Sequence, residues 1–163
     1  DVIALEVNPA ETVEETPEKD IPEAPQKVRR SKLYFVEIND AGTIEQKEIV
    51  RPVYYLDSPL TATINTLLEG LSSSELISLI PEQSRLLSVN IKNSTAFLNF
   101  SEGFRFNSFG LEGYNPQLRQ IVYTATEFSN IDSVQFMIEG KIKEYMGTEG
   151  GYIGSPLSRS DFD

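Results

Sequence analysis

Three features of the chain predict a two-layer α/β (α+β) domain, with two main helices packed on one face of a mixed sheet. Two segments carry apolar residues at helical spacing behind a polar residue and a proline, and two pairs of strand-like segments flank turn residues. The elements follow one another as β-β-α-β-β-α-β with short connections, the order of helices laid over a sheet. The 163 residues suit a single domain, and 39% hydrophobic content with seven Tyr and nine Phe is enough for a core.

Residues 1–30 are expected to be a disordered linker and 31–163 the domain. Residues 1–26 hold eight acids, one base and four of the nine prolines. Such a stretch buries too little apolar surface to offset its ordering entropy, and its charges repel one another. Folded sequence begins near Lys32. Leu33 to Ile38 reads as a strand closed by the turn Asn39-Asp40-Ala41-Gly42, and Thr43 to Val50 returns as a charged strand that Pro52 marks as an edge or a break.

Ser58-Pro59 supplies a capping side chain and a first-turn proline. Leu60, Ile64, Leu67, Leu68 and Leu71 form the apolar stripe of the first helix, and Gly70 its left-handed exit. Ser72 to Ile80 reads as a short turn of helix ended by Pro81. Arg85 to Ile91 and Thr95 to Phe100 alternate around Lys92-Asn93-Ser94, a second hairpin, with Leu87, Val89 and Ile91 on one face and Leu86, Ser88 and Asn90 on the other. Residues 101–113 are rich in Phe and Gly without a period and read as an ordered loop.

Asn115-Pro116 repeats the start signal of the first helix. Leu118, Ile121, Val122, Ala125 and Phe128 give the second helix its buried face, which Ser129-Asn130 ends. Ser133 to Glu139 alternates as the last core strand. Lys141 to Met146 is expected to add a short strand, Gly147 to Gly154 a loop, and Ser155 to Asp163 a terminal strand or arm.

The net charge of −11 argues against nucleic acid as a partner, because phosphate binding needs clustered Lys and Arg. The chain has no Cys and no His, which removes thiolate nucleophiles, Cys/His zinc sites and Ser-His-Asp triads. No apolar run approaches the about 20 residues of a spanning helix. Gly147, Gly150, Gly151 and Gly154 match neither dinucleotide nor P-loop spacing. Glu102 with Glu112, or Asp132 with Glu139, show no pattern that makes them converge, and Ser58, Ser101 and Ser129 lack a basic partner. No catalytic residue, cofactor or metal is expected. The residues most suited to a partner are Phe97, Asn99, Gln135 and Met137, which share the sheet face turned away from the helices.

Taken together, LYFVEIND, SPLTATINTLLEGL, LISLIPEQSRLLSVNIKNSTAFLNFSEGF and QLRQIVYTATEFSNIDSVQFMIEG resemble the GerMN domain of sporulation and germination proteins. The carrying motifs are Tyr34-Phe35-Val36, Leu67-Leu68-Glu69-Gly70, Ile80-Pro81-Glu82-Gln83-Ser84, Phe100-Ser101, Gln120-Ile121-Val122-Tyr123-Thr124 and Val134 to Gly140. Asn99 stands where an acid is common, and Ala125 replaces the usual Leu. The resemblance implies a fold like ring-building motifs and a non-enzymatic role in the bacterial cell envelope, outside the cytoplasm. The protein would be membrane-anchored or a lipoprotein, the anchor lying before residue 1. Its partner would be an envelope protein or a second copy of itself. The alternative is a ligand- or glycan-binding envelope protein using the Phe-rich loop 103–113. An enzyme working with carboxylates alone ranks below both.

Overall fold

The computed structural model describes residues 26–72, 75–148 and 150–162. Strands β1 (Lys27–Ile38) and β2 (Ile44–Tyr55) make a long antiparallel hairpin. Its turn forms as expected: Oδ1 of Asn39 accepts from the amides of Ala41 and Thr43, and Gly42 takes a φ of 84°. β1 starts at Lys27, and the acidic stretch before Gln26 lies outside the described residues. Pro52 does not break β2. It pairs with Arg30 at a position of the same class as Tyr34–Glu48, where the amides point away from the partner strand, so its missing N–H removes no ladder bond.

Helix α1 (Pro59–Glu69) has the anticipated ends. Oγ of Ser58 accepts from the Thr61 amide at 3.1 Å, and Gly70 closes the helix at a φ of 77°. The turn of helix expected after it does not form in the described part of that segment. The chain there runs extended, because Ile77 exchanges two backbone hydrogen bonds with Val36 at the outer edge of β1.

Strands β3 (Leu86–Lys92), β4 (Thr95–Phe100) and β5 (Ser133–Ile138) form a mixed sheet with β4 in the centre, antiparallel to β3 and parallel to β5. The first hairpin keeps its own two-stranded ladder. A bulge between Leu86 and Ser88 corrects the expected alternation of β3: Leu86 faces the core opposite Phe100, and Leu87 turns outward. The two-residue turn into β4 places Asn93 and Ser94 at positive φ, the geometry that matches strand twist.

Helix α2 (Leu111–Ala125) makes the parallel crossover between β4 and β5 and packs on β1. It begins earlier than expected. Gly110 starts it at a φ of 66°, so Asn115 is not its cap and Pro116 lies inside it. One extra turn is possible because Gly113 lets Asn107 and Phe109 lie against the helix where a Cβ would overlap them. The helix ends at Ala125, short of Phe128, which is buried in the following turn. The glycine stretch expected as a loop forms a small hairpin, β6 (Tyr145–Gly147) with β7 (Gly150–Tyr152). The terminal segment pairs Leu157 with Val134 and ends in a 3-10 turn, Arg159–Phe162.

Between these elements lies one core, in which Phe100, Phe104 and Phe136 stack with ring centroids 4.2 to 6.2 Å apart. Beside its apolar stripe, α2 buries a polar one at helical spacing: Gln117, Gln120 and Thr124. The Gln120 amide donates to the Tyr34 carbonyl at 2.9 Å and accepts from the Leu79 amide at 2.9 Å, while Oγ1 of Thr124 accepts from the Tyr34 amide at 3.2 Å. Gln117 donates to the Phe104 carbonyl at 2.7 Å and accepts from Asn107. Replacing Gln120 with Leu strands the Tyr34 carbonyl and the Leu79 amide, and is expected to cost about 2 to 5 kcal/mol. A lowered urea midpoint at unchanged slope is the check.

Candidate interaction surface

The four partner candidates fall in two rows of the mixed sheet. Phe97 stands beside Gln135, and Asn99 beside Met137, in the parallel register of β4 and β5. Asn90 and Ser88 of β3 continue the rows. All four side chains therefore lie on one face, opposite the core residues Leu98, Phe100, Phe136 and Ile138. Phe97, Asn99 and Met137 are half-buried.

Gln135 is the correction. It is 3% exposed, and its Nε2 donates to the carbonyls of Phe136 and Ile153 at 2.9 Å each. The chain beyond β7 returns over this part of the face, and the Val134–Leu157 bridge holds it there. Asn99 plays a local structural part. Its Oδ1 accepts from the Gly140 amide at 2.7 Å and so caps the turn after β5, where Glu139 and Gly140 take positive φ. A carboxylate at position 99 would accept that bond equally well.

The surface continues onto β3. Among the described residues this strand pairs only with β4, so its other edge offers unpaired backbone groups; Leu87 is 47% exposed at the bulge, and Ile91, opposite Ala96 and so on the other face of the sheet from Phe97, is 46% exposed near the strand's end. The Phe-rich stretch divides. Phe104 is fully buried in the core stack, residues 111–113 belong to α2, and Phe106 and Phe109 stand 60% and 47% exposed. A cavity of about 400 Å³ lies between those two rings and Ile80-Pro81.

Two of the carboxylates considered as acid/base pairs, Glu102 and Glu139, have other partners. Glu102 bonds Arg105 at 2.9 Å, and Glu139 accepts the amide of Glu102 at 3.0 Å. The titratable network that does form joins Tyr34, Glu127 and Arg159. Oε2 of Glu127 accepts from the Tyr34 hydroxyl at 2.6 Å and from the Arg159 guanidinium at 2.8 Å, and Arg159 also lies over the Tyr123 ring at 4.5 Å. Burial, joined by the hydrogen bond and charge of Glu127, raises the Tyr34 hydroxyl far above its ordinary value. Burial pushes Glu127 upward, but the hydrogen bonds from Tyr34 and Arg159 and the nearby cations prevail and lower it. Residues 34, 127 and 159 share no spacing, so no sequence pattern pointed to this network.

Because the folded carboxyl of Glu127 titrates below its ordinary 4.5, the stability it adds is full above that value and is lost as pH falls through the lower folded one. Urea midpoints from about pH 7 to about pH 3 are expected to fall less steeply for Glu127→Gln than for the wild type. Parallel acid limbs would dissociate the network from acid stability.

The sequence profile of a family described as sporulation and spore germination, Germane, matches residues 32–144. Comparison with curated protein sequences finds no match. Among solved structures, the tandem GerMN domains of the sporulation protein GerM from Bacillus subtilis align with a TM-score of 0.66 at 23% identity, over 81% of this chain and 46% of that one. This chain thus spans about half of that tandem structure. The first GerMN domain of the same protein aligns with a TM-score of 0.60 at 23% identity, over 82% of this chain and 99% of that one. A candidate lipoprotein from Clostridium perfringens aligns with a TM-score of 0.58 at 24% identity, over 83% and 89%. At these identities the structures show a shared fold.

Proposed function

Since the chain belongs to the Germane family of sporulation and spore germination domains, we propose that it is a non-enzymatic interaction module of the bacterial cell envelope, acting outside the cytoplasm. The observation that carries the reading is the free edge of β3, with Leu87 and Ile91 exposed along it and Phe97 and Met137 on the adjoining face. An edge of this kind takes up a further strand through main-chain bonds, with the side chains giving specificity. The partner is an envelope protein or a second copy of the chain.

The non-enzymatic part is supported by the Tyr34–Glu127–Arg159 network, whose strongest polar groups are spent on one another. The location is supported by the structural neighbours, a sporulation protein and a candidate lipoprotein. No described helix is long and apolar enough to cross a membrane, so attachment would come through an anchor outside these residues.

Sedimentation velocity over a wide concentration range, at two ionic strengths, is expected to show reversible association. Leu87→Lys with Ile91→Lys is expected to weaken it about tenfold or more. A monomer at every concentration, combined with equal capture of envelope proteins by wild type and double variant, would overturn the reading.

A second reading is favoured by the exposed rings of Phe106 and Phe109 over the cavity beside Ile80-Pro81, which suit stacking on a sugar or another flat ligand.

A further inference from the structure

The open end of the β1–β2 hairpin is basic in an acidic chain. Residues 27–32 and 50–55 hold five cations, Lys27, Arg29, Arg30, Lys32 and Arg51, and no acid, whereas the whole chain carries a net charge of −11. Val28 stands opposite Tyr54, Arg30 opposite Pro52 and Lys32 opposite Val50, so these six side chains share one face of the ribbon. The other face carries Ser31, Leu33 and Phe35 into the interior. On the outward face Val28, Val50 and Tyr54 are 55%, 46% and 60% exposed, an apolar strip with Arg30 and Lys32 along it. Lys32 pairs with Glu48 at 3.5 Å, and the Arg29 guanidinium lies over the Phe128 ring at 3.9 Å. Lys27, Arg30 and Arg51 are exposed and form no ion pair among the described residues. Their charge is left for another partner.

A flat face of cations and apolar side chains is complementary to an acidic segment with a few apolar residues, and the chain itself supplies one. Residues 11–23 carry six acids, Glu11, Glu14, Glu15, Glu18, Asp20 and Glu23, against the single base Lys19, with Val13 and Ile21 among them. The stretch from Glu14 to Lys27 extends to about 45 Å, while the ribbon from Lys27 to Lys32 is only about 17 Å long. A turn and a return along the face both fit within that reach. The tether holds these acids near the face at an effective concentration of about millimolar, which any separate acidic partner has to overcome. Side chains rather than the strand ladder make the contact, because Pro52 offers no amide at the outer edge of β2.

We propose that the outward face of the β1–β2 hairpin is a docking surface for the chain's own acidic segment, residues 11–23, held by charge and by contact with Val28, Val50 and Tyr54. The face is distinct from the β3 edge, so either assignment can fail without the other.

The chain has no Cys, so Thr16→Cys provides a single attachment point for a nitroxide label in the full chain. The expected result is an NMR intensity loss of about twofold or more at the amides of Lys32, Val50 and Tyr54. Raising the salt from about 0.05 to about 0.5 M is expected to restore the signals, because several exposed charge pairs are then screened. Glu14→Gln, Glu15→Gln and Glu18→Gln combined are expected to restore them too, and so is Arg30→Gln with Arg51→Gln. If the arginine pair disturbs the fold, the three glutamate changes, which lie outside the domain, decide. A mixture of nitroxide-labelled chain with isotope-labelled chain lacking the nitroxide is expected to show no loss, since docking is within one chain. Loss in that mixture would make a second copy the occupant and overturn the proposal. No loss in the single chain, or a loss that survives both high salt and the three glutamate changes, as tethering alone would give, would overturn it as well.

Discussion

The outer edge of β1 has to find hydrogen-bond partners inside the protein, and much of the structure follows from how it does so. On one side β1 is paired with β2; on the other, the amides and carbonyls of Tyr34 and Val36 point into the interior. No full strand lies there among the described residues. The backbone of Ile77 serves Val36, and the side chains of Gln120 and Thr124 serve Tyr34. A helix thus stands in for part of a strand, with a buried primary amide imitating a peptide group. The arrangement requires the polar residues to recur at helical spacing and the helix to lie close along the strand.

That requirement gives a physical sense to the motif Gln120-Ile121-Val122-Tyr123-Thr124. Ile121 and Val122 belong to the apolar core, while Gln120 and Thr124 close the strand edge. Gln120 reaches Leu79 and Ser78 as well, so it also fixes the segment leading to Ile80-Pro81. Gln117, one turn earlier, does the same for the chain around Phe104 and Asn107. Three buried polar side chains on one helix thereby hold a strand and two irregular segments. Each of them spends its side chain on a backbone group of a neighbouring segment.

Local chemistry made part of this legible. Ser58-Pro59 and Gly70 bound α1 because a hydroxyl cap, a first-turn proline and a positive-φ glycine act within a few residues of chain. The same reasoning misplaced the start of α2. Asn115-Pro116 reads like a cap, but Gly110 and Gly113 permit an earlier start that depends on how Asn107 packs. The bulge at Leu87 was hidden because alternation alone does not show an inserted residue. The closure of Gln135 was hidden for another reason. Its partner, the Ile153 carbonyl, lies 18 residues downstream in a stretch with no periodic pattern, beyond the span shared with the family. Phe97, Asn99 and Met137 were placed correctly on a common face because strand parity is a local property.

Among the described residues, the outer edges of β2 and β3 are both unpaired but not equivalent, and the contrast bears on where a partner would sit. The outer edge of β2 carries Pro52, which has no amide to offer, and a run of Glu45, Lys47 and Glu48, whose two acids pair with Lys47 and Lys32. Proline and mixed charge are the usual protections of an exposed edge against another strand. Along β3 only Lys92 bears a charge, and the bulge, which elsewhere serves to turn an edge away, here turns Leu87 toward solvent. Ile91 lies near the other end of the same strand, almost half exposed. An edge left apolar beside a defended one needs a reason, since exposed strands with aliphatic side chains favour aggregation. The contact proposed along β3 would supply it.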